Sequence, residues 1–561
     1  MNNNNKLLTW ITSRTGTFIL FVLWSLFITD LWLPRNWGFY GTGDWDLTYA
    51  TYEVARKSVL EFGQFPHFNP FLAFGSDLDA NPQAAHFSIF FLPILVFGTF
   101  YGYKVSILFA IMLGLTGCHK LLRSIGSDTF LSILLSMILC STPYFGRHII
   151  EAGHSNFLNF YLIPALFWLY LRYVRSGKFI HLSLPILILT QFICGGAPFV
   201  FIVSVITLLF WLTGSIINKD LSTKKAIFML ISIGFAIGLS LWKLIPVMDL
   251  WSTSPRLVND DSKINLLVWL HALNDTTTDT GTPHGWHEVS IGTGLLLPLL
   301  IIVYRKHLPN FKTWLILLVF LIWLGLGNQP EYVNPWYLIH HSLPFFNGLR
   351  APYRFAFILI FAIVIGASLI LNKLKDNNLI YIILISVTLS NTLNFNALSR
   401  NLVHTPRIEE IPKDSTANFA VRNLGGTFPF HFLSLKKNQF LISAYEPMHL
   451  PTVKDTLESF VKDGKLKYFS PHVITIQSED STTTLSLRWQ NGWSAGDNAT
   501  IFNKNGLIGL KSLPGTEIHL KYSNPSFDVG LNYSLIVLVF FLLCCYPFRF
   551  LQLTIETAVN S

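Results

Sequence analysis

Apolar residues fall along this chain in runs close to 20 residues long, separated by short polar stretches and a few long ones. Runs of that length cross a bilayer core of about 30 Å as helices. The pattern predicts twelve spans, over residues 16–33, 101–121, 129–144, 157–171, 182–195, 199–214, 226–247, 289–304, 314–327, 352–371, 379–395 and 531–548. Three long connections, residues 34–100, 248–288 and 328–351, fall on one side, and the first is expected to carry one or two helices along the membrane surface. The expected fold is therefore a polytopic α-helical membrane protein.

The stretch from residue 397 to 528 breaks the pattern. Short alternating segments such as Thr484–Trp489 and Glu517–Tyr522 are parted by Asn491-Gly492, Asn505-Gly506 and Pro514-Gly515, which reads as strands and turns. We expect three parts: a transmembrane module over 1–396, a soluble β-rich domain over 397–528 with a helical lead-in at 415–423, and a last helix with its tail over 529–561. No pair of matching halves, as a transporter would show, is visible.

Charge orients the helices. Arg123, Arg175, Lys178, Lys224, Lys225, Arg305, Lys306, Lys373, Lys375 and Arg549 all fall in alternate connections, the arrangement of cytoplasmic loops. Both termini are then expected in the cytoplasm and the long connections outside, in a bacterial inner membrane. With 51% hydrophobic and 13% charged residues the chain is too apolar for a soluble protein of 561 residues. The net charge of +9 belongs to the inner loops, and without a basic helix or aromatic-basic surface it does not point to nucleic acid. Cys118, Cys140, Cys194, Cys544 and Cys545 lie in apolar segments and read as small packed residues. The basic stretch to Arg14 precedes a span without a cleavage pattern, and is expected to lead into a retained helix.

Several outer polar groups invite chemistry. Asp44 and Asp46 follow the first span directly, and carboxylates near lipid are costly unless they face water, a partner or a substrate. Either acid is a candidate general base, and either is equally a helix N-cap for the segment after it. Asp77 and Asp79, in the same loop, offer further oxygens to a divalent cation, Mg or Mn, or are solvated turn residues. Arg147, Glu151 and His154 share one face if their segment is helical, as a substrate-binding set or an internal salt bridge. His284, His287 and Glu288 end the second long loop, without the fixed spacing of a zinc motif. Arg350 and Arg354 flank Pro352 at the outer start of a span. They are candidates for gripping a phosphate, or for snorkelling to headgroups.

The segment Leu60-Glu-Phe-Gly63-Gln-Phe-Pro66-His-Phe-Asn69-Pro70, the later Arg350-Ala-Pro352-Tyr-Arg354-Phe, and the terminal Trp489-Gln-Asn-Gly-Trp493 with Asn505-Gly506, Leu513-Pro514-Gly515 and Leu520-Lys-Tyr522 resemble the YfhO-type bacterial membrane proteins. Nearly the whole chain takes part in the resemblance. It implies the type C glycosyltransferase (GT-C) architecture and an inverting transfer of sugar from a polyprenyl-phosphate donor, with membrane lipids around it. The acceptor would be an envelope glycan, a lipid-linked glycan or a protein. The resemblance places an acidic base on Asp44 or Asp46, and Arg350 or Arg354 beside the donor phosphate. In several branches of that architecture an Asp-Glu pair stands where this chain has Asp44-Trp45-Asp46. The alternatives are a transporter or flippase for a lipid-linked glycan, and a non-catalytic scaffold that binds glycan through its outer domain. An enzyme requires these acids, histidines and arginines to converge on one pocket of several hundred Å³.

Overall fold

A computed structural model describes residues 9–41, 43–72, 74–253, 263–275, 285–309, 311–329, 334–342, 346–374, 378–402, 420–421, 430–436, 440–441 and 459–545. Among these, seven helices are long and apolar enough to cross a membrane: Ile89–Ser124, Thr129–Glu151, Ser155–Ser176, Pro198–Ile217, Pro352–Leu371, Leu379–Asn401 and Pro525–Cys545. An eighth is the pair Thr223–Leu239 and Leu241–Thr253, bent by 69°.

Twelve full spans are not seen. Arg14–Ile28, Phe179–Cys194 and Phe311–Gly325 are apolar helices of 10–17 residues. The predicted span over 289–304 is shorter still, with only Leu296–Val303 helical. Hydropathy measures how apolar a run is but not where its helix can begin. In this run Gly292 and Gly294 sit at φ +68° and +70°, so the helix starts only after them.

Local signals set the other boundaries. Asp128 accepts the Leu131 amide at 2.9 Å and opens the Thr129 helix. Pro198 occupies the first turn of its helix, and Gly177 closes Ile163–Ser176 in the left-handed conformation at φ +67°. The apolar faces meet in one continuous core that includes Tyr103, Tyr144, Tyr161, Phe357 and Val364.

The carboxy-terminal region holds two four-stranded sheets. One runs Ala499–Lys504, Leu507–Ser512, Thr482–Arg488, Val461–Lys462, and the other Gly464–Phe469, Val473–Ser478, Glu517–Tyr522, Trp493–Ala495. All their pairings are antiparallel, and Asn505, Gly506, Gly492 and Gly515 take the positive φ their turns require. Of the expected lead-in helix over 415–423 only Ala420–Val421 is described, and it is a strand paired in parallel with Phe440–Leu441, while the tail after residue 545 lies outside the described residues.

The first long loop is sewn to these sheets. Phe68 is fully buried among Trp493, Tyr522 and Ile518, an insertion that contributes about 1.5–3 kcal/mol. The Phe74 carbonyl accepts the Arg488 amide at 2.6 Å, and the His472 ring accepts the Phe68 amide at 3.3 Å.

Candidate active site

The site is organised around the amino-terminal end of helix Trp45–Leu60. Lys104, buried in the Leu92–Ser124 helix, donates to the carbonyls of Asn36 at 3.3 Å and Trp37 at 2.8 Å and also to that of Phe39, and so fixes the approach to the helix. The helix start is then pinned to the turn at 150–153. The Asp44 amide donates to Ala152 O at 2.9 Å, Trp45 Nε1 to Ile150 O at 2.8 Å, and Thr48 Oγ1 to Gly153 O at 3.0 Å. The fit is close enough that a Cβ on Gly153 would stand 2.4 Å from the Trp45 nitrogen.

Asp44 occupies the N-cap position, yet its carboxylate makes no capping hydrogen bond. It points instead at His154, with Oδ2 3.6 Å from Nε2, and stays 26% exposed. The favourable field of the helix start acts on this carboxylate.

The second half of the site grows from the segment after Cys140. Gly146–Glu151 is a π-helix, not the α-turn assumed from spacing. Arg147 and Glu151 still meet, at 2.8 Å, but His154 leaves the helix and lies against His148, Nδ1 to Nδ1 3.2 Å. Arg147 also grips Asp275 with Nε at 2.7 Å and Nη2 at 3.0 Å, so this guanidinium is spent on protein carboxylates. Asp275 further accepts Trp286 Nε1 at 2.8 Å and Ser290 Oγ at 2.6 Å, and thereby holds the short helix Trp286–Val289 in place.

That helix brings in His287 and Glu288. Glu288 is buried and paired with Arg354, whose Nε lies 2.7 Å from Oε2 and whose Nη2 contacts Oε1. Burial opposes ionisation of Glu288, but the Arg354 guanidinium holds its carboxyl well below the usual range. His287 is driven the other way: burial lowers it to about 4, so its ring is neutral at pH 7. His154, His287 and Glu288 present ligand atoms that all lie within 4.8 Å of one another.

The structure brings Asp44, His154, His287 and Arg354 together, with Arg147 and Glu151 at the flank. Other candidates are placed differently. Both oxygens of Asp46 are taken by the start of helix Phe430–Lys436: Oδ2 accepts the His431 amide at 2.8 Å and meets its Nδ1 at 2.6 Å, and Oδ1 accepts the Phe432 amide at 2.9 Å. Asp46 is a clamp between two segments, whereas Asp44 faces His154.

Arg354 is committed to Glu288, so it orders a carboxylate instead of standing ready for a ligand's phosphate. Arg350 is exposed, before the left-handed Ala351 at φ +60°, and His284 lies outside the described residues.

Asp77 and Asp79 belong to a separate buried cluster. Tyr522 at 3.1 Å and Asn524 at 2.7 Å donate to Asp77, His67 lies 2.5 Å from Asp79, and burial pushes both acids up. A cavity of about 330 Å³ lies among Phe167, Trp211, Trp314 and Phe361, beside the chain reversals at Ile125 and Asn218, and none of the candidate residues lines it, contrary to the shared pocket expected from sequence.

Sequence reasoning passed over His148 and Asp275. His148 sits beside Arg147 in an outward polar turn, a signal that was available. Asp275 follows an apolar helix as its left-handed cap at φ +53°, and nothing local marks it as a partner of Arg147.

A model of the family described as "Domain of unknown function (DUF6311)" matches residues 17–390. The matching family is not the YfhO-type group that the short motifs resemble. No curated protein matches the sequence.

Among solved structures, the chain is similar to the arabinofuranosyltransferase AftD from Mycobacteria, with 14% identity, a TM-score of 0.49 and 75% of this chain covered. It is also similar to the oligosaccharyltransferase AglB from Archaeoglobus fulgidus, solved with an inhibitory peptide and a dolichol-phosphate, at 11% identity, TM-score 0.40 and 78% coverage. The chain spans 31% of the AftD chain and 65% of the AglB chain.

Proposed function

The chain belongs to the DUF6311 family, and we propose that it is a membrane glycosyltransferase that moves a sugar from a polyprenyl-phosphate donor to an envelope glycan, a lipid-linked glycan or a protein. One observation carries this reading: the partly exposed Asp44 carboxylate, 3.6 Å from His154 beside a histidine–glutamate–arginine cluster. The reading stands on these side chains and on the sequence resemblance, not on the overlay with the two glycosyltransferases.

In a single displacement the acceptor oxygen attacks the anomeric carbon as the bond from that carbon to the phosphate oxygen breaks. The acceptor's proton passes to Asp44. The sugar inverts, and the polyprenyl phosphate leaves with the negative charge it gains. A base acting in this way needs position more than an unusual pKa, and the three hydrogen bonds that pin residues 44–48 supply it.

The test is direct. Purified protein given a radiolabelled polyprenyl-phosphate sugar and a glycan or peptide acceptor should release polyprenyl phosphate and label the acceptor. Transbilayer movement of the intact donor, with no cleavage, would instead support the flippase alternative and end this reading.

The reaction also needs its site on the outer face. A reporter fused after Phe395 should read periplasmic and one at Lys373 cytoplasmic, since the basic connections mark the inner side. The opposite outcome at both positions would place Asp44 in the cytoplasm.

A further inference from the structure

We propose that His154, His287 and Glu288 form a binding site for a transition-metal dication of the zinc class. They come from two stretches of chain, His154 from one and the neighbours His287 and Glu288 from another, and their ligand atoms already lie within 4.8 Å of one another. Ligands held about 2.0–2.2 Å from one ion must approach each other to about 4 Å or less, which small side-chain rotations would achieve here. Two imidazoles and one carboxylate with space for a further ligand is the donor set of many catalytic zinc centres. Imidazole nitrogen favours zinc over Mg, the ion anticipated from carboxylates alone.

Two independent features point the same way. The first is the surroundings of His154. Its Nδ1 lies 3.2 Å from His148 Nδ1, and His148 Nε2 is buried, has no hydrogen-bond partner among the described residues, and stands 3.9 Å from Glu288 Oε2. If the His154 proton sits on Nδ1 and is donated to His148, the His148 proton faces Glu288 and His154 Nε2 presents a bare lone pair. Fixing a ligand's tautomer through its other nitrogen is the usual work of a metal site's outer groups.

The second is charge. The contacts described above join four carboxylates, Asp44, Glu151, Asp275 and Glu288, to two guanidiniums, Arg147 and Arg354. Counting these groups alone leaves two negative charges, which a dication balances. Glu288 can serve both partners, since each carboxylate oxygen has a second lone pair after it accepts from Arg354.

An ion here would face the departing phosphate, a task Arg354 cannot perform while it is committed to Glu288. That role, unlike the binding itself, rests on the transfer reading.

The experiment uses the full chain in detergent, stripped with chelator and re-equilibrated with ZnCl2, MnCl2 or MgCl2. Bound metal is measured by mass spectrometry and the unfolding temperature recorded. CoCl2 serves as a spectroscopic probe. Zinc should bind with one ion per chain and raise the unfolding temperature, and cobalt should give the strong visible absorption of a four-coordinate site.

His287→Gln and His154→Gln should each lose the ion, whereas His341→Gln, an exposed histidine bonded to Tyr337, should retain it. His287 is part-exposed, so its replacement leaves the core intact. Failure of zinc to bind, binding that survives in both cluster variants, or a site that takes only Mg would overturn the inference. Transfer that persists in metal-free protein would remove the ion's part in the reaction and leave both the site and the transferase. Zinc binding without any transfer would do the reverse.

Discussion

Asp44→Asn is expected to lower the rate of sugar transfer by about a hundred- to ten-thousand-fold, the range for losing a positioned general base. The substitution keeps the shape of the side chain and all three hydrogen bonds that pin the helix start, because those run through the Asp44 amide, the Trp45 ring and the Thr48 hydroxyl. No capping bond is lost either, since the carboxylate makes none. With these contacts kept, the variant should remain folded, which thermal unfolding checks. The two readouts together make the result decisive. Transfer unchanged in Asp44→Asn would remove Asp44 as the base, whereas loss of transfer together with loss of folding would mean that the residue is structural.

The second large effect is on stability. Arg354→Met leaves Glu288 buried without its cation, and breaking a buried ion pair from one side costs about 3–5 kcal/mol. The sign of the pH dependence separates this cause from simple misfit. In the parent, Glu288 is held below its unfolded pKa of about 4.3, so its contribution is complete above that value and is lost as pH falls through the folded pKa. In Arg354→Met burial outweighs what the neighbouring histidines supply, the Glu288 carboxyl is pushed up, and acidification should restore stability by protonating it. Thermal unfolding at several pH values should show the variant gaining where the parent loses. Adding Glu288→Leu should recover much of the loss at neutral pH. A variant that weakens equally at all pH values would show that Arg354 matters for packing against Phe157 and Phe199, not for charge.

Much of the site was legible in sequence because the positive-inside pattern makes its exceptions visible. Arg147 and Arg354 lie away from the basic connections, and Asp44 lies where carboxylates are costly. Those facts gave the residues, but not their pairings. Whether Asp44 or Asp46 is the spent cap could not be read locally, because the partner that consumes Asp46 lies 385 residues later. The equal claim of both arginines to a phosphate failed for a similar reason: Glu288 reaches Arg354 only after the chain folds back over 66 residues.

Regular spacing misled where the backbone was irregular. A π-turn places His154 beside His148 and Asp44, not on a helical face with Arg147. In the predicted span over 289–304, Gly292 and Gly294 delay the helix although the run is apolar throughout.

The clamp made by Asp46 sets an order of assembly. Helix Trp45–Leu60 emerges early in synthesis, but the groups that satisfy Asp46, and the Leu435 carbonyl that accepts Lys57 Nζ at 3.1 Å, belong to chain made much later. Until Lys436 has been translated, the helix that carries the candidate base has one face finished against the turn at 150–153 and the other bare. The acid that matters most is thus among the last parts of the protein to mature, and a chain cut short before residue 430 would emerge with its helices inserted but its base loosely held.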